Sequence, residues 1–172
     1  MPGDNRGTDG ASRLASLSAF IPCYNEEANV ERVSEGLLAV LAQVSDDFEL
    51  IIVNDGSRDR TGELAEALAR KHPAIRAVHN NPNQGYGGAL QKGFASATKE
   101  WVFYTDGDGQ FDPNEIKLLI PLLKDHDIIS AYRLDRKDPP IRRFNAWSWT
   151  TLVNTLFGMR VRDLHCAFQL YP

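Results

Sequence analysis

Short apolar runs alternate along most of the chain with longer segments of helical period. Leu17 to Pro22 is apolar with little interruption, and Val30, Val33, Leu37, Leu38 and Leu41 then recur at steps of three and four, predicting a strand followed by an amphipathic helix. The alternation continues with a strand from Phe48 to Asn54, a helix from Thr61 to Lys71 and a strand from Ile75 to His79. A helix from near Gly87 to about Thr98 and a strand from Trp101 to Thr105 follow. Pro113 suits an early helical position and opens a predicted helix to about Lys124, ahead of a fifth strand from Ile128 to Tyr132. Nearly continuous apolar strands separated by helices imply a parallel sheet covered on both faces, an α/β fold. In such sheets ligands sit beyond the carboxyl ends of the strands, so function is to be sought directly after each strand.

Composition narrows the picture. A chain of 172 residues fits one domain with a sizeable core. The formal net charge is -4 and the basic residues are scattered apart from the run between Arg133 and Arg143, which sets aside a nucleic-acid partner. Cys23 and Cys166 lie far apart and the four histidines lack ligand spacing, arguing for a reducing compartment and against a zinc site. Residues 1–16 are rich in Gly, Asp, Asn, Ser and Arg, without the apolar run of a signal peptide. They are expected to form a disordered tail ahead of a domain over residues 17–172. No stretch approaches the roughly 20 apolar residues of a membrane-spanning helix, so any membrane contact is expected from the surface.

The residues after the strands carry the chemistry. The first strand leads into Pro22-Cys23-Tyr24-Asn25-Glu26-Glu27. An aromatic ring there can stack on a base and a carboxylate can accept from ribose or base N–H groups, although a turn leading to an Asn29 helix cap is the plain alternative. The second strand ends in Val53-Asn54-Asp55-Gly56-Ser57. Ser57 or Asp59 is placed to cap the next helix and Gly56 to supply a positive φ, whereas Asp55 stands one step too early for capping. It can read a base N–H or be an ordinary solvated loop carboxylate. Three glycines in Asn83-Gln84-Gly85-Tyr86-Gly87-Gly88-Ala89 open a helix whose N–H groups can attract phosphate. Leu90 breaks the dinucleotide fingerprint, and close helix–strand packing is the competing use of these glycines.

Asp106-Gly107-Asp108-Gly109-Gln110 is the strongest local signal. Two carboxylates one residue apart, with an amide oxygen two further on, can converge on a hard divalent cation that keeps positions open for diphosphate oxygens. An EF-hand is excluded, because Asp112 to Asn114 does not continue its ligand spacing. Glu26, Asp55 and Asp106 gathered on one edge are expected to need a cation between them. Beyond the fifth strand, Arg133, Arg136, Lys137, Arg142 and Arg143 lead into Phe144, Trp147, Trp149 and Phe157. This order suits an anionic head group and apolar tail at a membrane interface, and equally an amphipathic helix packed on the sheet.

In this order and spacing, the segments Ile21 to Glu26, Val53 to Ser57, Asn83 to Ala89 and Thr105 to Gln110 resemble the inverting family 2 glycosyltransferases. Within that family they are similar to the dolichol-phosphate mannose synthase and polyprenyl-phosphate glycosyltransferase branch. The resemblance runs from Leu17 almost to the end and includes Asn154 to Gly158, Val161 to Asp163 and Cys166 to Phe168. It implies a GT-A type fold in which Pro22, Tyr24, Glu26 and Asp55 bind the nucleoside. Asp106, Gly107 and Asp108 would meet the donor, with Asp106, Asp108 and Gln110 holding Mg²⁺ or Mn²⁺ on its diphosphate. Arg133 would contact phosphate, while Arg143 for the acceptor phosphate and Asp163 for catalysis match more loosely. Relatives continue past Pro172, so a truncated domain is expected.

The implied reaction transfers a hexose, with inversion, from a GDP-mannose or UDP-glucose type donor to a polyprenyl or dolichyl phosphate. It would take place at the cytoplasmic face of a membrane. Three other readings remain open. A relative acting on a glycan hydroxyl would need a general base. A sugar nucleotidyltransferase would carry a Gly- and Arg-rich loop where Tyr24-Asn25-Glu26 stands. A third reading is a nucleotide-sugar binder without turnover.

Overall fold

The computed structural model describes residues 13–132, 140–158, 161–163 and 166–172, with backbone only at 140 and 142–144. Strand β1 (Leu14–Cys23) pairs in parallel with β2 (Ser45–Asp55) on one side and β4 (Trp101–Thr105) on the other, and β3 (Ile75–Asn80) extends the sheet beyond β2. These four strands form the parallel sheet that the apolar runs predict. The six-stranded order is β3-β2-β1-β4-β6-β5, and β6 (Phe168–Tyr171) lies antiparallel between β4 and β5 (Ile129–Ser130). The apolar pattern did not announce β6, and β5 is shorter than the predicted Ile128 to Tyr132 because only Ile129 and Ser130 find partners on β6.

β1 starts three residues inside the tail expected over 1–16. Leu14 is buried, its carbonyl accepts from Ser45 Oγ at 3.0 Å, and Arg13 donates to the carbonyls of Gln43 and Ser45. Pairing with the long β2 therefore draws Leu14–Ser16 into the sheet; residues 1–12 of that tail lie outside the described residues.

Alternation along β1 sorts the core into two layers. Leu17, Ala19 and Ile21 face helices α1 (Val30–Val44) and α2 (Thr61–Lys71), while Phe20 faces α3 (Gly85–Ser96) with Ile51, Val53 and Tyr104. Val30, Leu37, Val40, Leu41 and Val44 place the buried stripe of α1 on the sheet, which is the stripe read from the helical period. Between β4 and β5 the predicted helix from Pro113 appears as 3₁₀ turns at Pro113–Glu115 and Ile120–Lys124 around one α-turn, α4 (Ile116–Leu119). Pro121 cannot donate to the i→i−4 ladder, which ends the α-turn there. Asp112 Oδ1 caps the segment by accepting from Asn114 N at 2.9 Å.

Helix α3 packs so close to β1 that a Cβ on Gly93 would stand 2.4 Å from the Phe20 ring, so this glycine serves close approach. Helix α5 (Pro140–Phe157) bears out the helix expected in the aromatic-rich segment, and Trp147, Trp149, Leu156 and Phe157 on it are exposed.

Glu49, six residues before Asp55 on β2, is buried and anchors the sheet away from its carboxyl edge. Its Oε1 accepts from Ser18 Oγ (2.7 Å), Thr98 N (2.9 Å) and Thr98 Oγ1 (2.7 Å), and its Oε2 accepts from Arg76 Nη1 (2.6 Å). Burial pushes this carboxyl up, but the bonds from Ser18, Thr98 and Arg76 outweigh it and hold the group below the usual glutamate range.

Candidate active site

Register brings the ends of β1, β2, β3 and β4 to one edge, with Cys23 beside Asn54 and Asp55 beside Asn80. Asp55 is 3% exposed. Its Oδ1 accepts from Asn80 Nδ2 at 2.8 Å and from Gln84 N at 3.0 Å, and its main-chain carbonyl accepts from Asn83 Nδ2 at 2.6 Å. The turn after it needs glycine twice over. Gly56 has φ +65°, and a Cβ there would lie 2.6 Å from the Asn83 nitrogen.

The β1 loop is zipped to this turn. Asn25 N donates to Ser57 Oγ at 3.0 Å and Asn25 Oδ1 accepts from Arg58 N at 2.9 Å, with Asn25 itself at φ 57°. Glu26 N donates to Thr61 Oγ1 at 2.8 Å, and Glu27 Oε2 accepts from Arg60 N at 3.0 Å. These bonds present the exposed ring of Tyr24 at a polar groove of about 560 Å³ that it shares with Asn54, Ser57, Arg58, His79 and Asn83.

The capping expectations divide. Asn29 occupies the N-cap of α1 but makes no side-chain cap bond, because its amide donates to Glu26 Oε2 at 2.8 Å and its oxygen accepts from Arg32 at 3.0 Å. At α2, Asp59 Oδ1 accepts from Thr61 N (3.0 Å) and Thr61 Oγ1 (2.6 Å). Partial desolvation raises the Asp59 carboxyl, and the Thr61 hydroxyl bond, together with the Thr61 and Glu27 N–H bonds, more than reverses it.

β4 runs directly into Asp106-Gly107-Asp108. Gly107 is buried where the loop crosses the end of β1: a Cβ would meet Cys23 Sγ at 2.7 Å and the Pro22 carbonyl oxygen at 2.9 Å. Gly109 has φ +76° and lies under the Arg32 guanidinium, 2.4 Å from where a Cβ would stand. Asp108 Oδ1 accepts from Gln110 N at 3.0 Å. Asp106 Oδ1 accepts from the Tyr86 hydroxyl at 3.0 Å, and burial together with the Asp106 charge raises the Tyr86 phenol. The Cys23 thiol is pushed up to about 12 by burial, then by the charges of Glu26, Asp106 and Asp59, which marks the end of β1 as an electronegative edge.

Among the described residues no three or more His, Cys, Asp or Glu side chains gather as a complete metal cage. This corrects the expectation that Glu26, Asp55 and Asp106 need one cation between them. Asp55 is satisfied by Asn80 and Gln84, and Glu26 by Asn29. Two hard carboxylates on one short loop, Asp106 and Asp108, suit a cation whose remaining positions are filled by a ligand's own oxygens.

Arg133 lies outside the described residues, as does the Arg143 side chain on α5. Asp163 is buried and its carbonyl accepts from Cys166 N at 3.4 Å, just ahead of β6, whose Phe168 pairs with Thr105 at the end of β4. Pattern reading missed Asn80, Gln84, Tyr86 and His79 as parts of this edge. Tyr86 stood inside a quoted glycine run without a role, and Asn80 directly follows the predicted third strand.

A family model described as "Glycosyl transferase family 2" matches residues 18–170. The chain belongs to glycosyl transferase family 2. It is 31% identical over 170 residues to a dodecaprenyl-phosphate galacturonate synthase of Rhizobium johnstonii, covering 96% of this chain and 50% of that protein. It is 32% identical over 157 residues to an undecaprenyl-phosphate 4-deoxy-4-formamido-L-arabinose transferase of Pseudomonas aeruginosa, covering 90% and 46%. The chain thus spans about half the length of these curated relatives.

Among solved structures, a Pyrobaculum calidifontis mannosyltransferase in complex with GDP-Man and Mn²⁺ superposes with TM-score 0.65 at 21% identity, covering 90% of this chain and 44% of that one. Glucosyl-3-phosphoglycerate synthase of Mycobacterium tuberculosis superposes with TM-score 0.68 at 22% identity, covering 91% and 56%. These likenesses speak for the fold, and the fold of this family 2 member is the expected GT-A type.

Proposed function

We propose that this chain is the donor-binding catalytic unit of a metal-dependent glycosyltransferase that moves a sugar, with inversion, from a nucleoside diphosphate to a polyprenyl phosphate. The observation that carries the reading is the Asp106-Gly107-Asp108 loop laid across the end of β1, on the same sheet edge as Tyr24 and Asp55. The polyprenyl-phosphate acceptors in the names of the two curated relatives support the acceptor class.

In this reading Pro22, Tyr24, Glu26 and Asp55 hold the nucleoside, of the GDP-mannose or UDP-glucose type, with Tyr24 stacking on the base and Asp55 accepting from its N–H. Asp106, Gly107 and Asp108 meet the diphosphate. Asp106, Asp108 and Gln110 would hold Mg²⁺ or Mn²⁺, which supplies positive charge to the departing diphosphate when bound. Tyr86 fixes the Asp106 carboxylate in place. Arg133 and Arg143 would bind the acceptor phosphate, and Asp163 would serve catalysis. A phosphate monoester is already anionic near neutral pH, so this acceptor requires no strong general base from the chain.

Among the described residues no helix is long and apolar enough to cross a membrane. The exposed Trp147, Trp149 and Phe157 of α5, next in sequence to Arg142 and Arg143, suit peripheral contact with the cytoplasmic face of a membrane.

Radiolabelled transfer to a short polyprenyl phosphate, with Mn²⁺ and with EDTA, tests the central assignment. Asp106→Asn is expected to lower kcat by roughly 100-fold or more, the scale set by removing one preorganised electrostatic group. Full activity in that variant would overturn the site.

A further inference from the structure

Beside the Asp55 turn, β3 carries a polar chain to which the roles above assign nothing. His79 Nε2 lies 2.9 Å from Glu66 Oε1 on α2, and its Nδ1 lies 2.9 Å from Asn54 Nδ2 on β2. Asn54 is 7% exposed, and its Oδ1 accepts from the Ser57 N–H at 3.1 Å. That last bond orients the amide, with its oxygen toward Ser57 and its NH₂ toward His79. An NH₂ group only donates, so Nδ1 of His79 accepts and the ring proton sits on Nε2, where it donates to Glu66. One backbone N–H in the turn next to Asp55 thereby selects the tautomer of a side chain on the neighbouring strand β3.

A charged His79 breaks this chain. The imidazolium carries N–H at both nitrogens, so Nδ1–H would oppose the Asn54 NH₂. Rotating the amide to offer its oxygen to His79 would set NH₂ against the Ser57 N–H instead. The amide has little room to swing aside, because α2 packs so tightly here that a Cβ on Gly62 would stand 2.8 Å from Asn54 Nδ2. Every arrangement of the charged ring loses one of the two bonds. Ser57 Oγ receives the Asn25 N–H, so a disturbed turn reaches the loop that bears Tyr24 and Glu26. Glu66 of α2 bonds the ring, and Arg58 of the β2–α2 turn lines the same groove.

We propose that His79 is a positioning residue: its neutral Nε2–H form, held between Glu66 and Asn54, keeps the turn Asp55-Gly56-Ser57 in the shape that binds the nucleoside end of the donor, and protonation weakens that binding. The inference rests on the reading that the groove beside Tyr24 and Asp55 takes the nucleoside. It adds a residue, a tautomer and a pH dependence.

The test compares wild type, His79→Phe and His79→Asn. Asparagine places Oδ1 where Nδ1 stands, so it accepts from Asn54 without titrating. UDP and GDP affinities are measured calorimetrically with Mn²⁺ between pH 5.5 and 8, and the Ser57 amide is followed by ¹H–¹⁵N NMR without nucleotide. For the nucleotide that binds, acidification is expected to weaken wild type by roughly 3- to 10-fold more than His79→Asn, the scale of one neutral hydrogen bond. His79→Phe should be weak throughout, its loss falling on donor affinity more than on kcat. The Ser57 signal should shift on acidification in wild type and stay still in His79→Asn.

A Ser57 signal indifferent to pH, or wild-type affinity in His79→Phe, overturns the proposal. Failure of both nucleotides to bind wild type at every pH overturns the groove assignment and the role of His79 with it. The nucleotide-free Ser57 titration tells that outcome from an absent His79–Asn54 coupling.

Discussion

Replacing Gly107 by alanine puts one methyl group into the most crowded point of the site. The new Cβ would stand 2.7 Å from Cys23 Sγ and 2.9 Å from the Pro22 carbonyl oxygen, against the 3.4 Å where ordinary contact begins, so the loop or β1 must give by about 0.7 Å. Neither neighbour is a free side-chain end. Cys23 is 1% exposed and the Pro22 oxygen belongs to backbone paired with Val53 of β2. Overpacking of this kind costs about 1–3 kcal/mol. Loss of glycine's freedom in the unfolded chain offsets about 0.4–1 kcal/mol of that where φ is compatible, as it is for Gly107, which is not among the positive-φ glycines. A net destabilisation of roughly 1–2 kcal/mol is expected from the urea midpoint at unchanged slope.

Function should suffer more than stability, because a shift approaching 1 Å in catalytic groups costs about 100-fold. kcat/KM is therefore expected to fall by roughly 10- to 100-fold. Cys23→Ala in the same background removes the thiol clash and leaves the carbonyl one, so the double variant should be more stable than the sum of the two single effects predicts. Stability within about 0.5 kcal/mol of wild type together with full activity in Gly107→Ala would refute the steric account.

Two further outcomes test other parts of the molecule. Glu49→Gln keeps an acceptor for Ser18 and Thr98 and loses the ionic bond to Arg76, so it should cost about 1–2 kcal/mol at pH 7. The folded-state carboxyl lies below its unfolded value, so this contribution is present above the unfolded pKa of about 4.3 and disappears as pH falls through the folded one; urea midpoints of wild type and variant should converge as pH drops from 5 toward 3. The chain should co-sediment with vesicles rich in anionic phospholipid, and Trp147→Ser/Trp149→Ser should reduce the bound fraction several-fold, whereas equal binding by both proteins would remove α5 from the membrane contact.

Periodicity determined much of this protein by itself. Apolar runs of strand length separated by three- and four-residue steps located β1 to β4, α1 and α2 within a few residues, because those patterns report which face of each element is withdrawn from water. With the rule that ligands meet the carboxyl ends of such strands, that was enough to single out Tyr24, Glu26, Asp55, Asp106 and Asp108. Tertiary structure alone decided how those groups are held. Asp55 is satisfied by Asn80 and Gln84, which reach it through strand register and the entry to α3 and not through any local spacing.

Gly107 is required by the end of a strand more than eighty residues earlier in the chain, where no turn preference would place the demand. β6 escaped notice because a four-residue strand at the end of the chain carries too little pattern; its place between β4 and β5 depends on antiparallel pairing with strands already folded. The tautomer of His79 likewise depends on an amide whose orientation is fixed only after β2, β3 and α2 have come together. Hydrophobic pattern is a local property of the chain, whereas hydrogen-bond partners and close approaches are properties of the packed molecule.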